Sequence, residues 1–301
     1  MHGMSSRFAT RNADEESRNM AGLSFHTSLF GDYSIEETVA ILVDLGFNAI
    51  ELNMESSPDF HAHLTPDATP DERAAIVETI RSSGLCLSSL SPHCDMIPAD
   101  ERMRQEAIEY IHRSIDLAVD LGTDIVHIAS GWITEEAGED LCWQWMVEAT
   151  RACVDYGRER DVKVAMEAGV FPGLIVWSPE TLLKLIELVG YDDFYVNFDP
   201  SHFAAAGLDA VAAFLRLQDR IINVHAKDGR GGRDAFEFPA LGDGDVDWPG
   251  LAQALIDIDY KGYVAVEYEA HFFSKGYPKD PPGAARQSKK FLDRVLSDWL
   301  Q

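Results

Sequence analysis

The sequence predicts a closed (β/α)8 barrel, a TIM barrel formed as a single domain, and three observations carry that prediction. Short apolar runs alternate strictly with amphipathic helical stretches from Leu23 to the end of the chain, eight of each, the pattern of a parallel sheet with crossover helices. The first run continues into "FHTSLFGDYS", without the Gly-rich GxGxxG turn that an open dinucleotide-binding sheet would want there. No linker or composition break divides the 301 residues, a length that such barrels reach as one unit.

In chain order, the first strand is read over Leu23–Phe30 and the first helix near Ile35–Leu45. Ser34 stands before "IEET" with Glu37 three residues later, a capping box, and Gly46 follows the last apolar turn. The second and third strands are Ala49–Met54 and Leu85–His93, separated by a helix near Asp71–Ser83. A helix near Glu101–Leu121 leads to strand four, Ile125–Gly131, and one near Glu139–Arg160 to strand five, Lys163–Gly169. Pro179 opens the next helix, to Val189, at a position where its missing N–H costs nothing. Strand six is Phe194–His202, followed by a helix near Ala210–Leu217, and strand seven is Ile221–Gly229. The stretch "GRGGRD" reads as a flexible loop; it does not open a helix, so it is not a phosphate cradle. A helix near Trp248–Ile258, strand eight over Tyr263–His271 and a helix near Ala284–Leu300 close the series. Residues 1–21 are polar, lack the apolar region of a signal peptide and are expected to be a disordered extension, which leaves 22–301 for the barrel.

Composition narrows the function classes. The formal net charge is −26, and a surface that acidic repels phosphate backbones and anionic headgroups, so neither nucleic acid nor membrane is an expected partner. No apolar run is long enough to span a bilayer. Cys86, Cys94, Cys142 and Cys153 include no CxxC pair, which argues against a disulfide framework or a zinc–thiolate site and for a cytoplasmic protein. A small-molecule substrate is the expected partner; a homo-oligomer or partner subunit is left open.

In such a barrel catalytic groups stand at the carboxyl ends of strands. Four consecutive ends carry acceptors: "VAMEAG" Glu167, "VNFDPSH" Asp199, "VHAKD" His225 and "VAVEYE" Glu267. Strand side chains alternate between faces. The opposite-parity neighbours Val164, Met166, Val196, Phe198, Ile222, Val224, Val264 and Val266 are all apolar, as befits positions facing the helices. Ala165, Asn197, Asn223 and Ala265 share the ligands' inward face. Three carboxylates and an imidazole in one barrel mouth would repel one another without a cation. Oxygen-rich ligation with one nitrogen suits one divalent ion, manganese first, with magnesium or cobalt as alternatives. His127, in "DIVHIAS", has the same inward parity and is either a second base or substrate ligand or a hydrogen-bonded barrel histidine. His93 ends strand three as a substrate-site candidate, with loop capping as the alternative; His26 and Glu51 share the inward parity and are read as floor residues. His61 and His63 fall in the loop after strand two, and His112 on a helix reads as structural. Trp132, Phe171, Trp177 and Phe203 follow strand ends as apolar walls or as packing.

The motifs "GFNAIEL", "DPSH", "VHAKD", "LGDGDVDW" and "VAVEYE" together resemble the xylose-isomerase-like family of sugar isomerases and epimerases over Leu23–Leu300. That resemblance implies Glu167, Asp199, His225 and Glu267 as metal ligands, Glu167 and Glu267 as the acid–base pair across a sugar, and His202 as a substrate-contacting or metal-proximal histidine. Two departures count against a ketohexose substrate: Gly173 stands where the ketohexose epimerases have an acid six residues after the first glutamate, and Lys227 follows His225 in "HAKD" where an arginine is expected further on. The HxKD form is more similar to members acting on inososes or oxidised (keto) glycosides, which makes Lys227 a substrate-binding candidate. Metal-assisted proton removal beside a carbonyl serves isomerisation and epimerisation; a lyase, dehydrating an inosose or cleaving a 3-oxo-glycoside by β-elimination, shares that first step. An apurinic endonuclease would need a multi-zinc cluster, and no histidine lies between His225 and Glu267.

Overall fold

A computed structural model describes residues 21–55, 62–269 and 278–301. The expected extension (apart from Ala21), His61 and the end of strand eight from Ala270 to His271 lie outside the described residues. The chain runs β1 (Gly22–Phe25), a 3-10 turn (Thr27–Phe30), α1 (Ile35–Leu45), β2 (Ala49–Asn53), α2 (Pro70–Ser83), β3 (Cys86–Ser91), α3 (Glu101–Leu121) and β4 (Ile125–Ala129). It continues through α4 (Glu139–Arg158), β5 (Lys163–Glu167), α5 (Pro179–Val189), β6 (Phe194–Phe198), α6 (Pro200–Ala205), α7 (Ala210–Leu217) and β7 (Ile221–Ala226). Then come β8 (Arg230–Gly232), β9 (Ala235–Glu237), α8 (Trp248–Asp257), β10 (Tyr263–Val266) and α9 (Pro281–Val295). Eight parallel strands lie in the order β1-β10-β7-β6-β5-β4-β3-β2, a TIM barrel. The seam between β1 and β2 is held by a parallel bridge, His26 to Glu51, and by the Asn48 N–H donating to the Leu23 carbonyl at 2.9 Å. No helix among the described residues is long and apolar enough to cross a membrane.

Local signals set the helix boundaries. Ser34 and Glu37 form the reciprocal capping box, and Gly46 closes α1 in the left-handed conformation (φ 78°). Thr69 with Glu72 does the same for α2 ahead of Pro70, and Ser178 caps α5 ahead of Pro179. Such caps satisfy N–H groups that a helix start leaves orphaned. Several strands end sooner than the apolar runs that mark them. Strand six stops at Phe198 because Asp199 caps α6 and Pro200 has no N–H to continue a ladder. Strand one likewise ends at Phe25, strand three at Ser91 and strand seven at Ala226. "GRGGRD" is a correction of kind: it forms the antiparallel hairpin β8–β9, pairing Arg230 with Glu237. Gly231 has φ +116° there and approaches the Ala235 backbone so closely that a Cβ would clash.

The barrel wall explains where the site can be. Outward-facing Val164, Met166, Val196, Phe198, Val224, Val264 and Val266 are buried against the helices, each burial contributing about 1.5–3 kcal/mol before chain-entropy costs. Ile222, at the foot of β7, is only partly buried, because the register shifts there: Val196 pairs with Ile221 but Asn197 with Asn223. The inward face is polar. Ser24, His26, Glu51, Ser89, His127, Asn197, Asn223 and His225 are all buried, so hydrogen bonding rather than branched aliphatic packing fills the upper barrel. A buried polar interior is stable only if its groups satisfy one another, and it is on this network that the strand-end residues stand.

Candidate metal centre and active site

Each of the four strand-end acceptors is aimed by its local structure. Glu167 is the last residue of β5, and its Oε2 accepts from Asn197 Nδ2 at 2.7 Å. Asp199 caps α6, its Oδ1 accepting from the Ser201 N–H at 2.8 Å. That leaves Oδ2 directed inward and buried with no hydrogen-bond partner. His225 donates from Nε2 to Glu51 Oε1 at 2.8 Å, which turns Nδ1 toward Glu267 Oε2 (3.2 Å), Glu167 Oε1 (3.5 Å) and Asp199 Oδ2 (3.9 Å). Glu267 follows directly on β10. One donor atom from each of Glu167, Asp199, His225 and Glu267 lies within 4.8 Å of the others, and all four residues are buried.

The electrostatics of this cluster call for positive charge. Burial would lower the His225 pKa, but Glu167, Glu267 and Glu51 around it hold it well above the usual histidine value. Burial would raise Glu167, yet His225, His127 and His202 bring it well below the ordinary carboxylate range. Glu267 is brought down in the same way by Lys227 and His225. Three oxygen donors, one of them the orphaned, buried Asp199 Oδ2, and one imidazole nitrogen fit a divalent cation, and Glu51 stands behind His225 where a carboxylate would orient a ligating histidine.

Above the cluster lies a cavity of about 370 Å³, lined among others by Glu55, His93, Trp132, Glu167, Phe171, His202, Lys227, Glu267 and Glu269, a size at the lower end of small-ligand pockets. His202 accepts the Val170 N–H at Nδ1 (3.2 Å), so its Nε2–H faces Asp199 Oδ2 and Glu167 Oε1 at 3.5 and 3.6 Å. Lys227 Nζ donates to Glu267 Oε2 and Glu269 Oε2 at 2.5 and 2.7 Å. It also lies 2.8 Å from Asp199 Oδ2; the charges touch, but the angles are not those of a hydrogen bond, so that oxygen is still unsatisfied. His93 Nε2 is 3.5 Å from Glu167 Oε2 and 3.0 Å from His127 Nδ1. Burial lowers the His93 pKa to about 3, so its ring is neutral. His127 is fully buried, one layer below the cavity lining, with Nε2 3.3 Å from Glu51.

The structure thus gathers Glu167, Asp199, His225, Glu267, His202, His93 and Lys227 around one point and sets His127 beneath them. Trp132 and Phe171 stand in the cavity wall, whereas Phe203 packs on Phe198 and Trp177 lies under Arg233. His112 stacks on Tyr156. Sequence reasoning passed over Glu269, although it shares the parity of Glu267 two residues on, and left Glu51 as a floor residue. Its pairing with His225 crosses 174 positions of sequence, a contact no local pattern announces.

Comparison with known proteins identifies the family and the fold. Residues 39–295 match the sequence model of a family described as a xylose isomerase-like TIM barrel. The chain is 25% identical to a putative L-ribulose-5-phosphate 3-epimerase of Escherichia coli strain K12, covering 81% of this chain and 86% of that protein. It is 26% identical to an inosose dehydratase of Geobacillus kaustophilus, covering 56% of this chain and 60% of that one. The chain spans about three fifths of the length of some curated relatives it matches. Among solved structures, the IOLI protein with a bound zinc atom superposes with a TM-score of 0.77 at 18% identity, covering 92% of this chain and 99% of that one.

Proposed function

This chain belongs to the xylose isomerase-like TIM barrel family, and from that premise we propose that it is a divalent-metal-dependent isomerase or epimerase of a keto sugar, an oxidised glycoside or an inosose. The observation that carries the reading is the buried set Glu167, Asp199, His225 and Glu267 at the base of a sugar-sized cavity. These four residues would hold one ion; three oxygen donors favour manganese, with magnesium and cobalt as alternatives, and the IOLI protein, a solved structure of the same fold, binds a zinc atom. When bound, the ion supplies Lewis-acid polarisation of the substrate's carbonyl oxygen. Glu167, ionised at neutral pH because its histidine neighbours hold its pKa down, takes the proton from the carbon beside that carbonyl. Glu267 stands three strands away around the barrel; held ionised by Lys227 and His225, it takes up a proton from solvent and passes it to the carbanion from another side, which gives epimerisation or an aldose–ketose shift. His202 Nε2–H and Lys227 offer donors to sugar hydroxyls, and Trp132 offers a face for the ring.

Gly173 supports a substrate other than a ketohexose. It has φ +89°, and a Cβ there would lie 3.3 Å from the Trp132 ring, so an acidic side chain would strain the turn and press on that ring. A lyase is the second reading, favoured by proton donors beside the base. Lys227 lines the cavity together with Glu55, whose pKa is raised to about 8 by burial and by Glu269 and Glu267. Elimination needs such a donor to protonate the departing oxygen as its bond to carbon breaks. Product analysis on an inosose and on a 3-keto-glucoside separates the two outcomes.

Both readings share one test. In heavy water the enzyme should place deuterium beside the carbonyl in product or recovered substrate, and Glu167→Gln should cut that exchange by roughly 10²-fold or more while remaining folded and metal-loaded. Full retention of the original hydrogen with its transfer to the adjacent carbon would remove the glutamates from the base role.

A further inference from the structure

Lys227 is 2% exposed, and its ammonium touches more carboxylates than one cation needs. Nζ lies 2.5 Å from Glu267 Oε2, 2.7 Å from Glu269 Oε2 and 2.8 Å from Asp199 Oδ2. Its remaining neighbours are His202 Nε2 at 3.3 Å and the Phe238 ring, 4.7 Å away at its centroid. Two of the three oxygens, Asp199 Oδ2 and Glu267 Oε2, also face His225 Nδ1, so they are oxygens that the four-donor set would present to an ion. Glu269 is outside that set. Two like charges crowded onto the same pair of buried oxygens repel strongly, because little water screens them. Lysine has the means to yield: a flexible four-carbon stem and a point charge without a fixed fork.

We propose that Lys227 is an exchangeable counter-ion of the metal centre: it neutralises Asp199 and Glu267 in the metal-free protein and, when a divalent ion takes those carboxylates, keeps Glu269 and turns its freed N–H groups to the cavity to bind a substrate oxygen. This rests on the metal-centre reading above. The exchange explains how a cluster rich in buried carboxylates folds before it is loaded, since uncompensated buried charge is strongly destabilising. It also makes substrate recognition by Lys227 conditional on the metal. Phe238 and His202 close the other sides of the ammonium, which leaves Glu269 and the cavity as its way out.

The test compares Lys227→Met with wild type, each stripped by chelator and each saturated with Mn2+. Lys227→Met should melt below wild type in both forms, because Glu269 loses its partner in each, but the gap should be wider by about 3 °C or more when stripped, and the variant should bind Mn2+ about tenfold more tightly. The extra stability lost without metal must reappear as affinity, because both are legs of one cycle. An equal loss in both states with unchanged affinity overturns the exchange, since Lys227 would then keep the same contacts throughout. Tighter binding with no loss in the stripped protein overturns it too, and reduces Lys227 to a simple repelling charge. Wild type that binds no divalent ion sinks the metal centre itself, an outcome distinct from either. Should the variant not fold, amine acetylation of wild type read by mass spectrometry decides: Lys227 should label faster when Mn2+ is bound, and equal or slower labelling overturns the proposal.

Discussion

Glu51 has no exposed surface and does not line the cavity above the four-donor cluster, yet the proposed metal centre leans on it. Its Oε1 accepts from His225 Nε2, and its Oε2 accepts from Asn223 Nδ2 at 2.9 Å and from Ser89 Oγ. Burial would push its carboxyl up, but His127 and His225 hold it well below the ordinary range, so it is a fixed anion behind His225. A carboxylate in that place orients the imidazole and makes Nδ1 a better donor. Glu51→Gln keeps the shape and loses the charge; it should weaken Mn2+ binding by about 10- to 100-fold in a competition titration, with the fold retained. Unchanged affinity would reduce Glu51 to a packing residue.

At the scale of elements, the loops after the strands carry more structure than their composition suggests. The β8–β9 hairpin brings Phe236 and Phe238 onto Phe171, and Phe238 onto His202, which makes a small second core over one side of the site. The segment after β2 is docked on the start of α1 through His63, whose Nε2 donates to the Tyr33 carbonyl at 3.1 Å. Burial lowers the His63 pKa below the ordinary histidine value, the backbone acceptors opposing only in part. The folded protein therefore favours the neutral ring. Its contribution is fully present above the unfolded pKa and fades as pH falls through 6.5 toward the folded value, where the unfolded chain gains a proton that the folded chain refuses. His63→Gln retains the donor but cannot titrate. The urea-midpoint gap between wild type and variant should accordingly narrow from pH 7.5 to pH 5.5; a constant gap would mean that His63 does not titrate on unfolding.

For the whole molecule, a formal charge of −26 and a buried carboxylate cluster both favour a cation-loaded state. An ion that binds only the folded chain stabilises it by about 2.7 kcal/mol at a hundred times its dissociation constant, a rise in melting temperature of about 5 °C for a chain of this size. Mn2+ should produce that rise in wild type and none in Asp199→Ala or His225→Ala, with metal content by elemental analysis falling in parallel from about one ion per chain. Undiminished metal in both variants would refute the ligand set.

The alternation of strands and helices, their caps at Ser34 and Gly46, and the inward parity of Glu167, His225 and Glu267 are legible in the sequence alone. Each is set within one or two turns of chain, by a two-residue strand period or by orphaned N–H groups. Asp199 was legible too, although Pro200 moves it from the strand onto the cap of α6. Other features belong to the tertiary structure: the pairing of Glu51 with His225, the gathering of Asp199, Glu267 and Glu269 on Lys227, the one-residue shift at Ile222, and the hairpin hidden in a glycine-rich stretch. These depend on how far each strand slides past its neighbour and on where the ring of strands closes. A strand's own period says which side a residue faces, but only the closed barrel decides which residue it meets there.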